Sequence, residues 1–288
     1  MKKTVTLALG SGGARGMAHI GVIKWLEEND YQIQSIAGSS IGALIGGIYA
    51  AGKLKEFEEW VCNFSKFDIL SFFDLTFSTD GFISGDKIMN ALKEKIGEVD
   101  IEDLSISFTA VATDIDREKE VWIKKGPLFD ALRASISMPL FFTPFEHEGS
   151  ELIDGGVLNP VPIAPTLSDR TDMTIAVDLH GPDEAMEKKD NSKEIEKGPF
   201  SPLKHKIQEF ISSIAPSLSS GDKKRWGIYY TAQQSLDMMQ GTIARHKIAT
   251  YPPDLLIEIP KNACQILEFD QAKRMIELGY QKAEKAFS

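Results

Sequence analysis

Three glycine-containing stretches hold the residues that could do chemistry. The first is Gly38-Ser39-Ser40-Ile41-Gly42, a Gly-x-Ser-x-Gly pattern. It lies between Ile33 to Ala37, which reads as a strand, and the unusually apolar Ala43 to Ala51, which reads as a buried helix. A serine nucleophile needs such a place. Small flanking residues permit a sharp turn that lifts the hydroxyl off the end of a sheet. The next helix then points its free N–H groups at the charge that develops there. Taken alone, the pattern is equally that of an ordinary turn.

The second stretch is Gly10-Ser11-Gly12-Gly13-Ala14-Arg15-Gly16, placed between a strand and a helix. It misses the dinucleotide register, because counting from Gly10 puts Arg15 at the last glycine position. It also lacks the Gly-Lys-Ser/Thr ending of a phosphate loop. Consecutive glycines suit an oxyanion hole instead, since their N–H groups can converge on one spot with no side chain in the way. Arg15 either locks this loop or is a surface arginine. The third stretch, Ile153-Asp154-Gly155-Gly156, sets a carboxylate on a tight turn, and its plain reading is a β-turn.

A nucleophilic serine needs a proton acceptor. The histidines are His19, His147, His180, His205 and His246. His19 lies in the first helix, where packing or capping is the ordinary role. His147 sits in a charged loop, and His205 and His246 in polar helical sequence. His180 ends a strand and gives the order Ser40, Asp154, His180 of an α/β-hydrolase. That fold usually places several strands before its nucleophile, whereas only two precede Ser40 here. Asp154 itself is the other acceptor. A free aspartate, with a pKa of about 3.9, is a weak base in water, and burial would have to raise it.

The elements that must position these residues follow a β-α-β-α opening, which predicts a parallel sheet covered by helices. Thr4 to Leu9 reads as a buried first strand rather than a secretory signal, its apolar run being too short. Further helices are expected over Met17 to Glu28, Lys53 to Phe64, Ser84 to Ile96, Leu128 to Ser135, Trp226 to Gln240 and Asp270 to Phe287. Strands are expected at Ile106 to Ile115, Glu120 to Lys124, Met173 to Leu179 and Leu255 to Ile259. Asp68 to Phe82 is aromatic and irregular. Residues 181–203 read as a mobile polar loop, and Ile207 to Leu218 carries an apolar stripe at helical spacing. The expectation is one domain over residues 1–288.

Composition bounds the function. The chain has 288 residues, 42% hydrophobic and 26% charged, with net charge −10, so nucleic acid is a poor partner. Cys62 and Cys264 are far apart and, like the histidines and carboxylates, show no metal-ligand spacing, so no metal and no cofactor are expected. Two free thiols fit a reducing, cytoplasmic compartment. Peripheral membrane contact and homo-oligomerisation stay open.

In combination, Gly12-Gly13-Ala14-Arg15-Gly16, Gly38-x-Ser40-x-Gly42 and Asp154-Gly155-Gly156 resemble the three signature blocks of the patatin-like phospholipases. Arg133-Ala134-Ser135 through Pro139 resembles that family's Ala-Ser-x-x-x-Pro block. The likeness is to the small single-domain bacterial members and runs from about Thr4 to Leu179. One departure is Ser11, where the family's block usually has a further glycine. The resemblance implies an α/β fold with a mostly parallel central sheet between helices in three layers. It implies a Ser40–Asp154 dyad, an oxyanion hole from Gly12, Gly13 and Arg15, and supporting roles for Gly10, Gly16, Gly38, Gly42, Gly155 and Gly156. It further implies a serine hydrolase of lipid or long-chain acyl esters. The rivals are an α/β-hydrolase-type esterase using His180 and a non-catalytic lipid- or nucleotide-binding module.

Overall fold

The computed structural model describes residues 2–63, 85–185 and 228–288, and the side chains of all of these except 86–88 and 228–230. The aromatic stretch from Asp68 to Phe82, the apolar stripe from Ile207 to Leu218 and most of the 181–203 loop lie outside the described residues. The chain divides into two units, residues 1–184 with 240–288, and residues 185–239. The second is described only at residue 185 and at 228–239, which begin a long helix. Every strand of the sheet belongs to the first.

Apolar runs without alternation form strands buried on both faces. They are β1 (Lys3–Leu9), β2 (Tyr31–Ser39), β3 (Ser107–Asp114) and β7 (Met173–Gly181). The sheet runs β5 (Phe145–His147), β6 (Ser150–Asp154), β3, β2, β1, β7 and β8 (Leu255–Pro260), with β4 (Lys119–Ile123) also paired to β3. β2, β1, β7 and β8 are parallel neighbours, and β3 is parallel to β2. β4, β5 and β6 add antiparallel pairings. The sheet is therefore mixed but mostly parallel, flanked by helices as an α/β fold. His147, expected in a solvated loop, lies instead in β5 and is half-buried, because Phe145 to His147 pairs with Ser150 to Leu152.

Helices α1 (Ala18–Glu28), α2 (Ile41–Ala50), α3 (Leu54–Val61), α4 (Asp86–Ile96), α5 (Leu128–Ser135), α6 (Ile228–Thr250) and α7 (Ala272–Phe287) accompany the sheet. α2 is buried nearly all round, as its composition requires. Gly85 occupies the N-cap of α4, and Ser84, the first residue of the expected helix, lies outside the described residues. α6 continues ten residues past Gln240, the end expected from the sequence. Gly241 sits over the β-carbon of His180, and Ala244 one turn on is buried, so packing sustains the helix.

Register decides where the active groups meet. Leu9 lies beside Gly38 across β1 and β2 and beside Val177 across β1 and β7. Ser39 pairs with Val111, and Asp154 pairs with the next residue of β3, Ala112. The glycine loop, the Ser40 turn and Asp154 thus converge at the carboxyl ends of adjacent parallel strands, where sites in such sheets form.

The C-terminal helix closes the fold against α1. Their backbones approach so closely that a β-carbon on Gly279 would stand 2.0 Å from the carbonyl oxygen of Ala18. Trp25, Tyr31 and Phe287 stack beside this seam. Gly279→Val should therefore destabilise the protein by about 1–3 kcal/mol in denaturant melts. Gly241→Ala should do the opposite, gaining about 0.5–1 kcal/mol, because its β-carbon meets only ordinary contacts from 3.5 Å outward in a helix interior.

Candidate active site

Ser40 caps α2 with φ 55° and ψ −124°, a conformation that residues with a β-carbon rarely adopt. The small neighbours make the turn possible. A β-carbon on Gly42 would stand 2.1 Å from the carbonyl oxygen of Leu9, and one on Gly38 would strike the backbone of Ala43. The serine side chain makes no capping bond to the helix. Its hydroxyl instead donates to Asp154 Oδ2 at 2.5 Å.

Asp154 is wholly buried at the end of β6. Its Oδ1 accepts the N–H of Gly156 at 2.7 Å, the cap of the short turn after it. Burial dominates its electrostatics and pushes the carboxyl pKa up to about 7, against the pull of the Ser40 and Gly156 bonds. A carboxyl so raised can accept a proton near neutrality, which a solvated aspartate does poorly.

Both residues are held from outside their own turns. Ser135 Oγ accepts the Ser40 N–H at 2.9 Å and donates to the carbonyl of Val111 at 2.6 Å. The carbonyl of Ser137 accepts the Asp154 N–H at 3.0 Å. Buried Arg133 braces this segment by donating to Ser137 Oγ at 2.6 Å and to the carbonyl and hydroxyl of Thr143. A second brace is the segment after Asp154. Asn159 N–H donates to the carbonyl of Gly155, Ser39 Oγ donates to the carbonyl of Asn159, and Ser11 N–H donates to that of Pro160. The Asn159 amide reaches Glu120, which also takes the Trp122 indole and Lys247.

The glycine loop lies beside the serine turn. Gly10 and Gly16 flank it, with Gly16 packed under Ile41, and Gly155 and Gly156 lie against Val111 and Ser11. Gly13 has φ 59°, and with Gly12 its N–H donates to no group among the described residues. Arg15 is buried. Its Nε donates to the carbonyl of Gly12 at 3.2 Å and its guanidinium to that of Lys261 at 3.1 Å, so it clamps the loop. Ala14 N–H donates to the carbonyl of Ile266. His19 Nε2 binds the carbonyl of Gly10 at 2.9 Å, and burial lowers its pKa to about 4, which keeps it neutral.

His180 does not join Asp154. Its Nδ1 lies 3.3 Å from Asp178 Oδ1, so the Ser40–Asp154–His180 arrangement of an α/β-hydrolase is not assembled. Ser40 and Gly13 both open on a cavity of about 130 Å³ with an almost wholly apolar lining, Met17, Leu44, Trp60 and Phe142 among it. Among the described residues no group of three or more His, Cys, Asp or Glu could hold a metal, and no helix is long and apolar enough to cross a membrane.

Sequence reasoning missed several of these parts. Ser135 stood inside a recognised block but without a role. Asn159 carried no signal beyond its closeness to Asp154. Ile266 and the apolar residues after it carried none.

The family model described as "Patatin-like phospholipase" matches residues 7–167. An "Uncharacterized NTE family protein" of Mycobacterium tuberculosis is 37% identical, over 98% of this chain and 91% of that protein. The "Lysophospholipase nte1" of Emericella nidulans is 33% identical, over 62% of this chain but only 12% of that protein. Among solved structures, VipD from Legionella pneumophila aligns at 15% identity with a TM-score of 0.49, covering 99% of this chain and 66% of that one.

Two outcomes check the site's physics. Ser40→Gly should be more stable than Ser40→Ala by about 1–3 kcal/mol, because only glycine relaxes the turn. Asp154 supplies the other. Between about pH 4 and 7 the folded chain keeps a proton on Asp154 that the unfolded chain has released. Raising the pH through that window therefore costs stability, on the order of 4 kcal/mol in all, and the loss is complete above about pH 7. Asp154→Asn removes the effect. Its melting temperature should gain on the wild type steadily across the window, and a constant difference would refute the raised pKa.

Proposed function

Because the chain belongs to the patatin-like phospholipase family, we propose that it is a serine acyl hydrolase of lipid or long-chain acyl esters, working through Ser40 and Asp154. The observation that carries the reading is the 2.5 Å hydrogen bond from Ser40 Oγ to a carboxyl buried enough to titrate near 7. The apolar cavity at the serine supports a hydrocarbon substrate.

Ser40 Oγ attacks the ester carbonyl carbon while its proton passes to Asp154 Oδ2. The carbonyl oxygen becomes an oxyanion, stabilised by the N–H groups of Gly12 and Gly13 and by the N-terminus of α2. As the tetrahedral adduct collapses, the bond to the leaving oxygen breaks and Asp154 returns the proton to it. The acyl group now rests on Ser40 as an ester. Water attacks that carbonyl, giving one proton to Asp154, and the second collapse releases the fatty acid and re-protonates Ser40. Every proton lost by one group is taken by another, and the pair ends as it began. Arg15 serves by holding the loop's peptide planes, since its bonds go to the carbonyls of Gly12 and Lys261. Lipid-surface contact during this cycle is part of the same proposal.

The test is kcat/KM on a soluble ester and on a lysophospholipid. A fluorophosphonate probe should label Ser40, and Ser40→Ala should abolish both labelling and turnover. Asp154→Asn should lower kcat/KM by about 10²–10⁴-fold with the fold intact. His180→Gln should keep most activity. The base must be ionised, so kcat/KM should rise with pH and level off above about 7. A profile flat across that range, or a His180→Gln variant as damaged as Asp154→Asn, would refute the dyad.

A further inference from the structure

We propose that the loop between β8 and α7, through Leu267 and Phe269, sets which acyl chains the site accepts, an assignment that rests on the serine acyl hydrolase reading. Leu267 and Phe269 line the cavity onto which Ser40 opens. They lie about a hundred residues beyond the family match, which ends at residue 167, so this wall is not part of what the match accounts for. Leu44 and, from α3, Phe57 and Trp60 line the same cavity. A chain leaving Ser40 therefore meets residues from inside the family match and residues from the last third of this sequence.

The loop divides its work between backbone and side chains. The carbonyls of Lys261 and Ile266 clamp the glycine loop, by accepting from Arg15 and from the Ala14 N–H. Its own shape is fixed locally. Gln265 N–H donates to the Glu268 carboxylate, Glu268 N–H to the carbonyl of Gln265, and Phe269 N–H to that of Leu267. None of these bonds uses the Leu267 side chain. That side chain is 36% exposed while also lining the cavity, so it stands at the mouth. A change of its volume alters the passage and leaves both the clamp and the loop's conformation in place. Each methylene that finds an apolar wall gains a factor of about four in binding, so a wall that stops or frees the chain reshapes the length profile steeply.

The experiment is kcat/KM for p-nitrophenyl esters from acetate to palmitate with the wild type, Leu267→Ala and Leu267→Trp. The readout is the ratio of the dodecanoate to the butyrate value. Leu267→Trp narrows the mouth and should lower that ratio about tenfold or more, while Leu267→Ala should raise it about fivefold and admit branched chains. Complete labelling of Ser40 by a short-chain fluorophosphonate, at whatever rate, shows the reactive centre intact in each. Ratios within about twofold of wild type in both labelled variants would overturn the loop's role. If the tryptophan variant does not melt cooperatively, the alanine variant decides alone by the same ratio. A wild type inert to every ester and to the probe overturns the hydrolase reading itself, a result distinct from active enzyme with unchanged ratios.

Discussion

The structure turns on a single hydrogen bond, between a serine hydroxyl and a carboxyl taken out of water. Neither partner is comfortable where it stands. Ser40 sits in a strained backbone conformation, and Asp154 carries the desolvation penalty that lifts its pKa to about 7. Each of these costs the native state free energy, and each is imposed by surroundings that leave no alternative. The 133–137 segment holds the N–H of both residues, one by a hydroxyl and one by a carbonyl. The 155–160 segment ties Asp154's turn, Ser39 and Ser11 to one stretch of backbone. Parallel-sheet register does the rest, by bringing Ser39 and Asp154 to consecutive positions on β3.

The two braces explain how an aspartate comes to meet the serine hydroxyl here. A histidine can reach a proton from many positions, because its ring extends well beyond the backbone. A short carboxylate reaches only what its main chain is placed against. The extra backbone hydrogen bonds around Asp154 and Ser40 supply that placement. The two histidines closest in the fold bond elsewhere. His19 secures the carbonyl of Gly10 and is kept neutral by burial, while His180 faces Asp178.

Much of this was legible in the sequence, and the reason is local. Gly38 to Gly42, Gly10 to Gly16 and Asp154 to Gly156 each carry their geometry in their own residue types, since tight turns and close backbone approaches admit few side chains. The α/β fold followed from the period of the apolar runs around them. What stayed hidden depends on contacts between distant segments. Nothing in Asn159, Ser39 or Ile266 announces a partner more than a hundred residues away. His147 read as solvated because charges flank it, though a short strand pairing half-buries it. The end of α6 was placed at Gln240, because what carries the helix on is the packing of Gly241 over His180 and the burial of Ala244.

The clamp on the glycine loop gives synthesis of this chain a definite order. Ser40 and Asp154, with the braces that set them, leave the ribosome well before residues 261–279 do. The N-terminal loop, though made first, acquires the carbonyls of Lys261 and Ile266 last, as β8 and α7 dock against β7 and α1. A nascent chain stalled short of β8 therefore lacks both of the carbonyls that hold the glycine loop.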